Sequence, residues 1–406
     1  MPMRRVCAPT REPVTVALAG VEFGWGSSGK LGAVLSALRQ GPCDALEFVG
    51  LGSGLGRPLL AEHAVDAWYD LPASAEGLRA AVTEIVRVRR VRAALVVLDG
   101  RLAKALEAAG VPTVFVDSLP FLWTEGDRPS LPLDASCYCA QQCIELPPEC
   151  TGILASVRSL RWVEAVVATA PDTRPGRYGT RPWHRALVSL GGLRAPGLAD
   201  WTAYPHLVVP AALRALAAHG VREAHLAGNL PDDLLVRLLA GAPASLRVTA
   251  GALPHEAFLA ELAAADVLLA SPGLTTLLEA GTLAVPAVCL PPQNLSQIFN
   301  ARFHCRAVGV DVRTPWPAEV FQEDEALALR AKGEEHALEL IYGGIAGAAA
   351  RAGTPLRAEL AGAVGAALER AGEVVDWGAL ATAVGTGGAA QVAGALLEIL
   401  RRGSAR

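Results

Sequence analysis

The chain has 406 residues, of which 52% are hydrophobic and 19% charged, with a formal net charge of −4. That length exceeds one ordinary hydrophobic core and favours two domains of about 150–200 residues with a cleft between them. The apolar fraction excludes a long disordered region. An acidic balance without a long run of Lys or Arg excludes nucleic acid as the main partner and leaves a small molecule.

The opening residues carry Arg4 and Arg5 without an apolar leader behind them, so a cytoplasmic protein is expected, with no membrane partner. Val14 to Gly20 reads as a buried parallel strand. It is followed by a helix from Gly29 to Gln40, a strand from Leu46 to Leu51, a Gly-rich loop from Gly52 to Gly56 and a helix from Pro58 to His63. A helix over Glu76–Arg90, a strand over Ala93–Leu98, a helix over Arg101–Ala109 and a strand over Thr113–Val116 continue the βαβ rhythm. Asp99 and Asp117 then fall at strand C-termini, where open parallel sheets bind ligands. Leu119 to Pro148 shows little periodicity and reads as long loops over the cleft. Its Cys137, Cys139 and Cys143, with Cys150, lack paired CxxC spacing and a nearby His, so they read as small apolar residues and no metal site is expected. A last strand is expected over Ala165–Ala170, and the turn-rich Pro171–Gly176 reads as a linker, which divides the chain into residues 1–180 and 181–406.

The rhythm then repeats. Strands are expected at Ala186–Leu190, Glu223–Ala227, Leu246–Thr249, Val267–Ala270 and Ala287–Leu290, alternating with helices at Pro205–His219, Asp232–Ala240, His255–Ala264 and Thr275–Ala280. Helices over Glu323–Ile341, Pro355–Ala371 and Ala389–Arg401 close the chain and can pack back on the first domain. The uncharged run Trp377–Leu397 is long enough to cross a bilayer, but Gly387-Gly388 breaks it into two packed helices. The fold class is therefore α/β, with two doubly wound Rossmann-like halves facing across a cleft.

The strongest chemical signal is Ala265-Asp-Val-Leu-Leu-Ala-Ser-Pro-Gly-Leu-Thr-Thr-Leu-Leu-Glu-Ala280. A strand there delivers Gly273, Leu274, Thr275 and Thr276 to a helix start whose free N–H groups and hydroxyls suit a diphosphate. Glu279, one turn on, is placed for ribose hydroxyls, and Gln293, Asn294 and Gln297 offer amides to a sugar. Gly191-Gly192, at the end of the first strand of this half, resembles the glycine loop that contacts the phosphates from the opposite side in GT-B glycosyltransferases. In the first half, Glu22, Phe23, Gly24, Trp25, Gly26, Ser27, Ser28 and Gly29-Lys30 follow the first strand. This loop is not a P-loop, because Leu31 occupies the Mg-binding hydroxyl position. Phe23 and Trp25 can stack on a planar acceptor, and Lys30 can add a charge for a leaving phosphate, although a solvated helix lysine is the commoner case.

The second half resembles the donor-binding half of GT-B glycosyltransferases, where a Gly-Ser/Thr-rich helix start, an acidic residue and a block like Gln297-Ile-Phe-Asn300-Ala301 bind a uridine diphosphate sugar. More narrowly, Gly20 to Leu31, Phe48 to Arg57, Asp117-Ser-Leu-Pro-Phe-Leu-Trp123 and Tyr138-Cys-Ala-Gln-Gln-Cys143 resemble the cytosylglucuronate and hydroxymethylcytosylglucuronate synthases of nucleoside-antibiotic pathways. The resemblance implies inverting transfer of glucuronate from UDP-glucuronate to N1 of cytosine or 5-hydroxymethylcytosine, without a bound cofactor. Trp123 and Gln141 join the acceptor residues on that reading. A base must take the N1 proton; Glu22 is the first candidate, with Asp117 and Asp99 as alternatives. Arg57, Arg302 and Arg306 are candidates for the sugar carboxylate. Another acceptor, or a nucleotide-sugar 2-epimerase on the same fold, are the competing readings.

Overall fold

The computed structural model describes residues 13–40, 46–52, 54–168, 182–191, 193, 198, 200–351 and 354–404. The expected linker and the division after residue 180 lie outside the described residues, as does Gly192.

Strands β1 (Val14–Gly20), β2 (Leu46–Leu51), β3 (Ala67–Tyr69), β4 (Ala93–Val97), β5 (Thr113–Asp117), β6 (Cys137–Gln141) and β7 (Leu160–Val163) form one sheet in the order β3-β2-β1-β4-β5-β6-β7. Every pair in it is parallel. Helices α1 (Gly26–Gln40), α2 (Ala75–Arg89), α3 (Gly100–Ala108) and α4 (Pro148–Ala155) belong to this half. Side chains alternate across the sheet with period two. Val16, Leu18, Leu95, Val97, Val114 and Val116 pack on the α1 side, whereas Ala17, Ala19, Val96 and Phe115 pack with Leu102 and Leu106 of α3. Burial on both faces explains why these strands read as continuous apolar runs.

The second sheet has the order β10-β9-β8-β11-β12, again parallel, from β8 (Arg185–Gly191), β9 (Glu223–Gly228), β10 (Arg247–Gly251), β11 (Val267–Ala270) and β12 (Ala287–Cys289). Helices α5 (Ala203–Ala218), α6 (Asp232–Ala240), α7 (His255–Ala264), α8 (Leu274–Thr282) and α9 (Leu295–Val308) alternate with its strands. They are followed by α10 (Glu323–Leu329), α11 (Glu334–Arg351), α12 (Thr354–Ala371), α13 (Ala379–Val384) and α14 (Gly388–Ser404).

Residues 379–403 are apolar enough, by length and composition, to cross a membrane. They are divided between α13 and α14, and α14 lays Val392, Leu396 and Ile399, an i, i+4, i+7 stripe, on the first sheet. The crossing is tight. Gly388 N–H donates to the Ala165 carbonyl at 3.2 Å, and a Cβ added at Gly388 would collide with the Glu164 carbonyl oxygen. The two halves also share a core, because Phe121 of the first packs against Phe299 and Phe303 of α9 at centroid distances of 5.4 and 5.0 Å. Arg330 donates to the Phe121 carbonyl and pairs with Glu149.

Three expectations change. The segment from Leu119 to Pro148 contains strand β6, in which Cys137 and Cys139 face one side of the sheet and Tyr138 and Ala140 the other. Of the strand expected over Ala165–Ala170, residues 165–168 carry no strand and the last two lie outside the described residues, while β7 forms the edge just before it. The helix expected over Glu323–Ile341 breaks at Arg330–Gly333, where Gly333 takes φ +126°.

Candidate functional site

A cleft of about 540 Å³ runs between the two sheets and is lined from both halves. The sequence builds its centre by placing a helix start after the first strand of one half and after the fourth of the other. Strand β1 leads through Gly24 into α1, and β11 leads through Ser271 and Gly273 into α8. The two helix starts meet: a Cβ at Gly29 would lie 3.7 Å from Thr275 Cγ2. Each start exposes N–H groups without intrahelical partners and carries partial positive charge. Gly26, Ser27, Ser28, Gly273, Leu274, Thr275 and Thr276 line this part of the cleft. Gly24 and Gly191, at the ends of β1 and β8, hold φ of +63° and +64°, which bends the backbone along the cleft wall.

Glu279 lies one turn below Thr275, is buried, and accepts from or shares a proton with His255 Nε2 at 2.7 Å. Burial works against a charged His255, but the hydrogen bond and charge of Glu279 outweigh it and raise the imidazole pKa above its usual value. His255 lines the cleft and had no role in the sequence expectations; the signal for it, a His opening a helix after β10, becomes informative only once Glu279 stands beside it.

The block after β12 knits itself together before it offers anything to a ligand. Asn294 caps α9 by accepting from the Gln297 amide at 3.0 Å, and Gln297 Oε1 accepts from the Gln293 amide at 2.9 Å. Gln293 is turned away: its Nε2 donates to Ser271 Oγ at 3.0 Å, and it does not line the cleft. Asn294, Gln297 and Asn300 do line it, and Asn300 Oδ1 is buried with no partner among the described residues.

The cleft wall also carries the apolar and aromatic side chains Phe23, Trp25, Leu119, Leu122 and Trp123. The carboxylates redistribute there. Glu22 is exposed, accepts from the Gly54 amide and is not part of the cleft wall. Asp117 is fully buried and also off the wall; it accepts from Trp123 Nε1 and Tyr138 OH, both at 2.7 Å, and from the Leu119 amide at 3.1 Å. Burial pushes its pKa to about 6 against those hydrogen bonds. It is the post that orients Trp123. Asp99 does line the cleft, at the C-terminal end of β4 after Leu98, whose φ of +61° is unusual for a branched residue. Asp99 Oδ1 accepts from the Leu102 amide at 2.9 Å as the cap of α3. Burial holds its pKa above the usual carboxylate value, opposed by that amide and by Arg101.

Gln141 is buried away from the cleft, accepting from the Val166 amide at 3.0 Å and from Lys30 Nζ at 3.1 Å. Lys30 in turn is 2% exposed, so it is not a solvated helix lysine. Arg57 pairs with Asp70, Arg302 with Glu323 and Asp324, and Arg306 with Glu145; none of the three lines the cleft, whereas Arg101 does. Among the described residues no group of three His, Cys, Asp or Glu side chains is arranged to hold a metal ion. Cys137 and Cys139 Sγ lie 3.7 Å apart, whereas Cys143 Sγ donates to the Glu145 carbonyl and Cys150 Sγ to that of Trp123.

No protein-family model matches the sequence, and no curated protein matches it. Among solved structures, the chain is similar to MurG of Acinetobacter baumannii, with a TM-score of 0.51 and 14% identity over 95% of this chain and 100% of that one. It is equally similar to the glycosyltransferase of kitacinnamycin, with a TM-score of 0.51 and 16% identity over 96% of this chain and 100% of that one. A Listeria monocytogenes protein assigned as a UDP-N-acetylglucosamine 2-epimerase aligns with a TM-score of 0.51 and 11% identity over 82% of this chain and 91% of that one. These likenesses establish the GT-B fold: two parallel-sheet Rossmann-like halves.

Proposed function

We propose that this chain is a glycosyltransferase that moves a sugar from a uridine diphosphate donor to a small planar acceptor and releases UDP. The observation that carries the reading is the convergence of the α1 and α8 starts in one cleft whose wall also carries aromatic side chains and the half-buried carboxylate Asp99. Such a pair of helix starts is a place for a leaving diphosphate, stabilised where its charge develops. From the resemblance of the first-half loops, the donor sugar is glucuronate and the acceptor is cytosine or 5-hydroxymethylcytosine.

On this reading the acceptor stacks among Phe23, Trp25 and Trp123, with Asp117 fixing the Trp123 ring. Asp99 takes the N1 proton as the N1–C1 bond forms and the bond from C1 to the phosphate oxygen breaks; the electron pair of that bond leaves on UDP, and the anomeric centre inverts. Glu279, held by His255, receives ribose hydroxyls. Arg101, two residues beyond Asp99, meets the sugar carboxylate.

The test is mass spectrometry of the purified protein with UDP-glucuronate and cytosine. Cytosylglucuronate and UDP in equal amounts support the reading. UDP-sugar binding without product withdraws the acceptor, and absence of UDP-sugar binding withdraws the donor site. The His255–Glu279 pair favours one second reading, a nucleotide-sugar 2-epimerase, in which the pair would move a proton on the donor sugar. A C2-inverted nucleotide sugar formed without any acceptor would select it.

A further inference from the structure

Lys30 is the one lysine that lines the cleft among the described residues, and its side chain is buried. Its Nζ donates to Gln141 Oε1 at 3.1 Å and to the Val166 carbonyl at 3.3 Å, both neutral acceptors. An ammonium has three N–H donors, so these two bonds leave one unused. Among the described residues no carboxylate is paired with it; the acidic influence on it is Glu279, whose carboxylate is already bound to His255. A buried cation held only by neutral groups is costly, because the protein interior returns little of the hydration it has lost. Burial accordingly lowers the Lys30 pKa to about 8, with Glu279 opposing.

The position of this ammonium gives the cost a purpose. Lys30 follows Gly29, where an added Cβ would lie 3.7 Å from Thr275 Cγ2 at the start of α8, so it stands next to the meeting point of the two helix starts. Gln141 at the end of β6 and Val166 after β7 hold it from behind. Since Lys30 belongs to the first half and Thr275 to the second, an anion between them would be bound from both.

We infer that Lys30 is a binding residue for the donor's diphosphate, supplying from the first half the positive charge that the helix starts supply only in part. The inference rests on the glycosyltransferase reading and deepens it: donor affinity is not a property of the second half alone, and a dianionic leaving group supplies the opposite charge that Gln141 and Val166 do not.

The experiment is titration calorimetry of the full chain and of Lys30→Met with UDP, UDP-glucose, UDP-glucuronate and uridine, with a thermal melt of each protein. Lys30→Met should bind UDP and both sugar nucleotides about 10- to 100-fold more weakly, the range of a charge-assisted hydrogen bond, and uridine as before. It should melt at or above the wild-type temperature, because an apolar side chain of similar length replaces an uncompensated charge. Unchanged UDP affinity overturns the inference and leaves Lys30 a structural peg; loss confined to UDP-glucuronate overturns it in favour of the sugar carboxylate. A variant that melts lower or fails to fold also overturns it, since the ammonium would then be stabilising the free protein. Wild-type protein that binds no UDP sinks the donor reading itself, a result distinct from any of these.

Discussion

Asp99 combines two tasks in one side chain, capping α3 and presenting a carboxylate to the cleft, and the two can be separated by substitution. Asn caps as well as Asp does. Asp99→Asn should therefore keep the melting temperature within a few degrees while kcat/KM falls about 10²- to 10⁴-fold, the usual range for a lost general base; Glu22→Gln should stay within a few-fold of wild type. Because burial holds Asp99 above the ordinary carboxylate pKa, the acid limb of kcat/KM should be displaced upward from that of a free aspartate and should vanish in Asp99→Asn. A limb that persists in the variant assigns the proton transfer elsewhere. Asp117 makes a contrasting prediction. Its folded pKa of about 6 lies above the unfolded value, so the native state binds the proton more tightly and stability falls as pH rises between about 4 and 6. The span is up to about 3 kcal/mol, and chemical denaturation of Asp117→Asn across that window should show a flatter profile.

At the scale of elements, what was legible followed from periodicity and what was not followed from contacts made far along the chain. The continuous apolar runs of β1, β4, β8 and β11 announce strands buried on both faces, and the Ser271-Pro-Gly273 start of α8 announces itself as a helix N-terminus. The Cys-Tyr-Cys-Ala-Gln of β6 also has period two, yet the surrounding prolines and the ligand chemistry of cysteine hide it. Glu22 and Asp117 were plausible bases because both sit near strand ends. Only the packing shows that one is exposed beside Gly54 and the other satisfied by Trp123 and Tyr138. Lys30 reads as a surface residue because nothing local reveals that α14 and residues 164–168 close over α1. His255 and Glu279 are 24 residues apart, and their pairing has no local signature. The tight crossing gives a test at this scale. Gly388→Val should drive a side chain into the Glu164 carbonyl and lower expression of folded protein, judged by a cooperative melt.

The two halves are tied together by the Phe121 contact and the return of α14, alongside the Arg330–Glu149 and Arg306–Glu145 ion pairs. Phe121 is fully buried against the rings of α9, so Phe121→Ala should cost about 3–5 kcal/mol, measured by urea denaturation. Removal of residues 388–406 would uncover the α1 side of the first sheet, where Val392 and Leu396 are wholly buried, and should give aggregated protein. These ties keep the two helix starts opposite one another, which is the arrangement the functional account depends on. A crystal structure with UDP bound tests that dependence most directly. The account predicts diphosphate oxygens within hydrogen-bond distance of the α8 start at Leu274–Thr276, facing Ser27–Gly29 across the cleft. UDP bound elsewhere, with both helix starts unengaged, would contradict it.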